Sequence, residues 1–255
     1  MVMNNNVSQQ GIQRVRFLND SDEDAPPYAA MVITSAARRE DNNELMFTVT
    51  KPDADAAKHQ DPDRIVFNQH LPVGAGRHGW CTWVSPAFAV GIGNDIEDVD
   101  VSDKVGLAED SWLLWRGGCT HTVTFLENTG QSEEEEGEGS GESKTSYGWV
   151  TRNTSLNSWV RWSTSIAGSS TSSPPYDTNS VTADILYWSK PTESDLENED
   201  YMPTLELATK PLEGGGTTNL ELEIYHAGSE SVAAGHGKAT LLGGKWILDL
   251  AYCSS

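Results

Sequence analysis

The feature that most constrains this chain is a beat of two. In Leu220-Glu221-Leu222-Glu223-Ile224, three aliphatic side chains alternate with two carboxylates. An extended backbone puts the first set on one face and the second on the other. The beat returns near the C-terminus, where Trp246, Leu248, Leu250 and Tyr252 share one side and Lys245 and Asp249 the other. Both pieces are half-buried strands over a common core. No segment carries helical spacing for more than two turns.

The same short apolar runs recur along all 255 residues, at 13–18, 29–34, 45–50, 65–67, 80–84, 111–115, 119–126, 147–152, 158–166, 181–188 and 204–209. Gly, Pro, Asn or Asp bounds each one, which is how strands are punctuated in sandwiches and small barrels. The expected class is all-β. Residues 1–11 read as a polar arm, and 12–128 as a small β-barrel or sandwich. Residues 129–144, with four consecutive Glu (Glu133, Glu134, Glu135 and Glu136), read as a Glu/Gly/Ser-rich linker or loop. A segment with no apolar side chain cannot offset the entropy of ordering itself. Residues 145–255 then form an antiparallel β-sandwich or jelly-roll-like module.

The net charge of −21 is spread over the whole length. Nucleic-acid binding draws its affinity from Lys and Arg neutralising phosphates, so DNA and RNA are not expected as partners. No apolar stretch approaches the roughly 18 residues that span a bilayer, and residues 1–11 lack the apolar core of a secretory signal. Cys81, Cys119 and Cys253 form an odd set without metal-ligand spacing. They are expected as buried free thiols of a protein folded in a reducing cytoplasm, although Cys81 and Cys119 both sit in expected strands.

Catalytic motifs are missing. The glycine-rich corner at Gly74, Gly76 and Gly79 lacks the strand-to-helix setting and the Lys of a phosphate loop. The six His fall at no zinc-protease spacing and beside no nucleophile elbow. Asp95, Glu97, Asp98, Asp100 and Asp103 offer hard oxygen ligands, but not in the order of a calcium loop. No catalytic residue, metal or cofactor is expected. The nine Trp stand out instead, because Trp80 and Trp83, Trp112 and Trp115, and Trp159 and Trp162 each lie three apart. In a strand that spacing sends two rings to opposite faces, one to a core and one outward. These six form the expected interaction surface, since a rigid indole gives contact area at small entropic cost.

Arg14-Val15-Arg16-Phe17-Leu18-Asn19-Asp20-Ser21 and Pro26-Pro27-Tyr28-Ala29-Ala30-Met31 resemble the start of β-rich proteins that accompany the head and tail structural genes of tailed bacteriophages. Lys51-Pro52-Asp53, Pro72-Val73-Gly74-Ala75-Gly76, Val105-Gly106 and Ser111-Trp112 follow in the same order, so the resemblance covers residues 14–126. It implies a non-enzymatic virion structural protein, made in the host cytoplasm and assembled as a decoration, fibre, neck or tail component. The implied partners are other virion subunits and further copies of the chain in a homo-oligomer, with no nucleic acid and no membrane. The alternative is a carbohydrate-binding or carbohydrate-cleaving receptor-recognition protein that uses exposed Trp. A third reading is a secreted bacterial surface protein.

Overall fold

The computed structural model describes residues 13–38, 44–84, 88–93, 99–126, 146–153, 156–168, 179–189, 202–212 and 215–254. The expected all-β class holds: strands build three large sheets and a two-stranded one, and the α-helix among these residues, α1 (Ala54–His59), is short.

The first sheet is a closed barrel of β1 (Gln13–Asn19), β2 (Ala30–Arg38), β3 (Leu45–Thr50), β4 (Ile65–Asn68) and β5 (His78–Val84), in ring order β1-β3-β2-β4-β5. Neighbouring strands around a ring can alternate in direction only when their number is even. Five strands therefore force a parallel pair, which here is β1 with β3. Period-two alternation fills the interior with Val15, Phe17, Met31, Phe47, Val49, Val66 and Cys81. Asn19 is buried on the same parity, and its amide is satisfied. Nδ2 donates to the carbonyls of Glu23 and Val73, and Oδ1 accepts from the backbone and hydroxyl of Ser21. The Asn-Asp-Ser cluster that ends the strand is thus pinned to the corner at Val73.

Strands β2 and β4 are covered on both sides. Met31 and Val66 point into the barrel, while Ala30, Val32, Ile65 and Phe67 face outward against a second sheet. That sheet comprises β6 (Phe88–Ile92), β7 (Lys104–Gly106), β8 (Trp115–Arg116), β9 (His121–Leu126) and β10 (Ser146–Arg152), in order β6-β10-β9-β7-β8. It returns Val90, Ile92, Val105, Val123 and Val150 to the shared core. Strand β10 lies beyond the Glu-rich segment yet pairs with both β6 and β9. The segment therefore joins two antiparallel neighbours of one sheet, and the sheets divide the chain near 85 and 154 instead of at 129–144. Glu-rich composition marks solvation and carries no information about which strands it connects. The segment itself lies outside the described residues, as do residues 1–12 and the acidic positions Asp95, Glu97 and Asp98.

The third sheet holds β11 (Asn157–Trp162), β12 (Ser180–Trp188), β13 (Leu205–Leu207), β16 (Glu221–Tyr225), β17 (Gly235–Leu242) and β18 (Lys245–Ser254), with a two-stranded hairpin of β14 (Thr209–Pro211) and β15 (Thr217–Asn219) alongside. Its pairings run β11-β17-β18-β16-β12 and return to β11, a second five-membered ring. Its one parallel pair is β16 with β18. Numbered within the ring, the third and fifth strands are the parallel ones, the Greek-key connectivity of OB-type barrels. Such a superfold does not itself imply a function. The beat of 220–224 behaves as expected. Leu220, Leu222 and Ile224 are buried, and Glu221 and Glu223 lie on the outer face. Trp246 and Leu248 are likewise buried, whereas the side chains of Leu250, Tyr252 and Cys253 lie outside the described set.

One short stretch stitches the three cores together. Leu107 and Leu114 enter the core between the first two sheets, Trp112 enters that of the first barrel, and Ala108, Trp115 and Cys119 enter that of the second. Close backbone approach demands glycine here. A Cβ on Gly118 would stand 2.1 Å from the backbone of Gly106, and one on Gly93 2.3 Å from the ring of Trp115. Helix α1 completes the seam. Its αL cap, Gln60, is fully buried and pairs its side-chain amide with both backbone groups of Leu107. Next to it, the indole N–H of Trp246 donates to the carbonyl of His59.

Removing a ring from this seam uncouples several cores at once. Trp115→Ala should lower the free energy of unfolding by about 3–5 kcal/mol in urea titrations, whereas exposed Trp188→Ala should change it by less than about 0.5 kcal/mol. Equal effects from the two substitutions would show that Trp115 does not bear on the joint.

Candidate interaction surface

The six expected Trp do not converge. Trp112, Trp115 and Trp162 are buried, at 9%, 5% and 2% exposure, and so belong to no surface. Their indole N–H groups are spent internally, on the Glu23 carboxylate, the Ser111 hydroxyl and the Ala233 carbonyl. The three-apart rule does send Trp112 and Trp115 to opposite sides, but each side is another core. Trp80 does emerge, at 45%, on the outer face of the first barrel, with the guanidinium of Arg16 6.0 Å from its ring centre. Trp159 is half-buried, and the side chain of Trp83 lies outside the described residues.

Three exposed rings escaped the spacing rule, namely Phe125, Trp149 and Trp188. Strand parity is the signal that finds them. Gly148 and Val150 turn inward on β10, so Trp149 turns out, where its register partner on β9 is Phe125. Ala183 and Ile185 turn inward on β12, so Trp188 turns out. It meets Trp159 of β11 edge-on, with ring centres 5.7 Å apart. Among the described residues, the outer aromatic groups therefore occupy three separate places, in the first, second and third sheets.

A dense polar cluster sits where α1 crosses β16. Ser180 donates its hydroxyl to Glu223 at 2.6 Å, and His59 Nε2 lies 3.5 Å from the other oxygen of the same carboxylate. His59 Nδ1 contacts the Asp55 carbonyl at 2.9 Å, and Lys58 lies 3.7 Å from Glu221. The Ser180 hydrogen bond, aided by that of Tyr225 and by the nearby His59 and Lys58, holds Glu223 below the ordinary carboxylate range despite its burial. Burial, then the adjacent carboxylate, pushes Tyr225 up to about 12. A carboxylate held low is a weak base, and the serine proton faces it and not an imidazole. This geometry clamps the helix to the barrel.

A second charged group fastens the first barrel. Lys51 lies 3.0 Å from Glu23 and 3.1 Å from Asp110. Burial alone would lower its pKa, but the bonds to Glu23 and Asp110 outweigh that and raise it. Three other reactive side chains are sealed. Cys81 and Cys119 are buried in different barrels, which keeps them apart as free thiols. Burial pushes Cys81 up to about 12 and raises Cys119 as well. Burial lowers His121 to about 3, and its ring lies edge-on to Phe67 with Nδ1 on the Thr120 hydroxyl. Among the described residues no group of three or more His, Cys, Asp or Glu is placed to hold a metal ion, and no helix is long and apolar enough to cross a membrane.

The sealed groups set a pH dependence. His121 binds its proton near 6.5 when unfolded and only near 3 when folded, so between those values the unfolded chain holds more protons. Stability should be full above about pH 6.5 and fall as pH drops toward 3. The loss between about pH 6.5 and 5, above the range where Glu223 titrates, should flatten in His121→Gln. An unchanged slope in that variant would remove His121 as the cause. A thiol reagent should find Cys81 and Cys119 unreactive until denaturant is added.

No family model matches the chain, and neither the curated proteins nor the solved structures contain a match.

Proposed function

We propose that the chain is a non-enzymatic structural protein of a tailed-phage virion, which attaches to capsid or head–tail neighbours through the outer faces of its β-modules. The observation that carries this reading is where the large rings go. Trp80, Phe125, Trp149 and Trp188 are 42–58% exposed on three different sheets, while the described polar clusters tie elements to one another. Separate apolar contact points suit a subunit held by several neighbours. The resemblance of residues 14–126 supplies the virion setting.

The net charge of −21 adds a directional element. A neighbour presenting a basic patch is attracted over about a Debye length, so attachment weakens as salt rises. Repetition of the chain around a symmetric particle makes a cyclic homo-oligomer the natural assembly.

Mass spectrometry of purified particles tests the reading directly. The chain should be present in stoichiometric amounts, and Phe125→Ser with Trp149→Ser should reduce incorporation about tenfold without changing the urea midpoint. Its absence from washed particles would overturn the proposal.

A further inference from the structure

We propose that the outer face of the first barrel, where Arg14, Arg16 and Trp80 stand, receives the acidic run at 133–136 from a second copy of the chain. The contact is between copies and does not depend on the virion reading. Val15, Phe17 and Cys81 point into the barrel, so Arg14 and Arg16 on β1 and Trp80 on β5 point out. Trp80 is the register partner of Arg16 and is 45% exposed, with the Arg16 guanidinium 6.0 Å from its ring centre. Arg14, two residues earlier, lies about 6.7 Å along the same strand and on the same side.

Charge distinguishes this face. Lys51, Lys58, Arg116, Arg152 and Arg161 are each paired with a carboxylate, whereas neither Arg14 nor Arg16 forms an ion pair with a described residue. None of the cross-strand neighbours is acidic. Arg14 faces Thr82, Arg16 faces Trp80 and Met46, and Leu18 faces His78 and Thr48. Asp20 and Glu44 lie just beyond the ends of β1 and β3. Two guanidinium groups beside an indole thus form a small anion-accepting surface on a chain of −21. Two cations are too few for a phosphate backbone, whose binding draws on many. They match a short row of carboxylates.

The chain carries such a row. Glu133, Glu134, Glu135 and Glu136 are consecutive, and in an extended segment alternate carboxylates stand about 6.7 Å apart on one side, the spacing of Arg14 and Arg16. Guanidinium and carboxylate then meet in charge-assisted pairs beside the indole. The ring order assigns the run to another copy. Strand β1 stands across the barrel from β2 and β4, which face the second sheet, and the run joins β9 to β10 of that sheet. It therefore departs from the side of the barrel opposite Arg14 and Arg16. Repulsion between two chains of −21 is screened beyond about 8 Å at physiological salt, so the groups on the touching faces decide the contact. A face that meets a different segment makes a heterologous contact, which repeats head to tail into a ring or a filament.

Sedimentation velocity of the whole chain tests the contact. The parent should self-associate at about 0.1 mM and above, and Trp80→Ala should raise the concentration needed about fivefold. Arg14→Glu with Arg16→Glu, and separately Glu133→Gln, Glu134→Gln, Glu135→Gln and Glu136→Gln together, should each leave a monomer with an unchanged urea midpoint. Mixing these two variants should restore a heterodimer and nothing larger, because each supplies the half that the other lacks. The proposal fails if the parent stays monomeric up to about 1 mM, the result expected if the run folds back on its own barrel or if the face serves another protein. It also fails if any of the variants associates like the parent, or if the mixture stays monomeric. Particle incorporation is read separately, so either proposal can fall alone.

Discussion

Everything in this molecule depends on a crossing where one short piece of chain serves several cores. Between Leu107 and Cys119, all but the exposed Glu109 and Asp110 are buried or half-buried, and six side chains enter three cores. A five-stranded barrel alone buries little, and three small sheets set side by side would each be marginal. The crossing makes their cores mutually dependent. Its cost is steric, because Gly93, Gly106 and Gly118 leave no room for a side chain. It is also polar, because backbone groups buried at such a seam need partners. Gln60 supplies them to Leu107, and the left-handed backbone of Gln60 (φ 48°) is what brings its amide there.

Strand existence and face were legible because period two is written directly in side chains such as Leu220, Leu222 and Ile224. Closure was not. Nothing local in β11 or β12 says that they pair, and the two parallel pairs follow only once five strands are known to form a ring. The Glu-rich segment could be read as a linker or a loop but not as which of the two, since its composition reports hydration while connectivity is decided by Tyr147, Trp149 and Val150 finding partners on β6 and β9.

The site was legible in part. Trp80 and Trp159 reach the outer face, and their strands could be read from the sequence. Trp112, Trp115 and Trp162 could not be sorted, because spacing within a strand gives opposite faces without saying whether solvent or another sheet lies beyond. Parity against known core residues does better, and it identifies Trp149 and Trp188. That test needs Val150 and Ile185 to be recognised as interior first, which is information held by the fold.

The few cations are placed with the same economy as the rings. Lys51 joins the end of β3 to Glu23 and Asp110, Lys58 joins α1 to β16, and Arg152 of β10 meets Asp63 of a 3₁₀ turn (Pro62–Arg64) that leads into β4. Arg116 binds Asp103, and Lys104 of β7 donates to Asn157 of β11. Most of these contacts cross from one element to another. In a chain of −21, a cation placed at a seam relieves repulsion where two acidic bodies meet, whereas the same cation on open surface would be screened and contribute little. Among the described residues, carboxylates such as Asp20, Asp22 and Glu109 stand on exposed faces, where water and salt screen them.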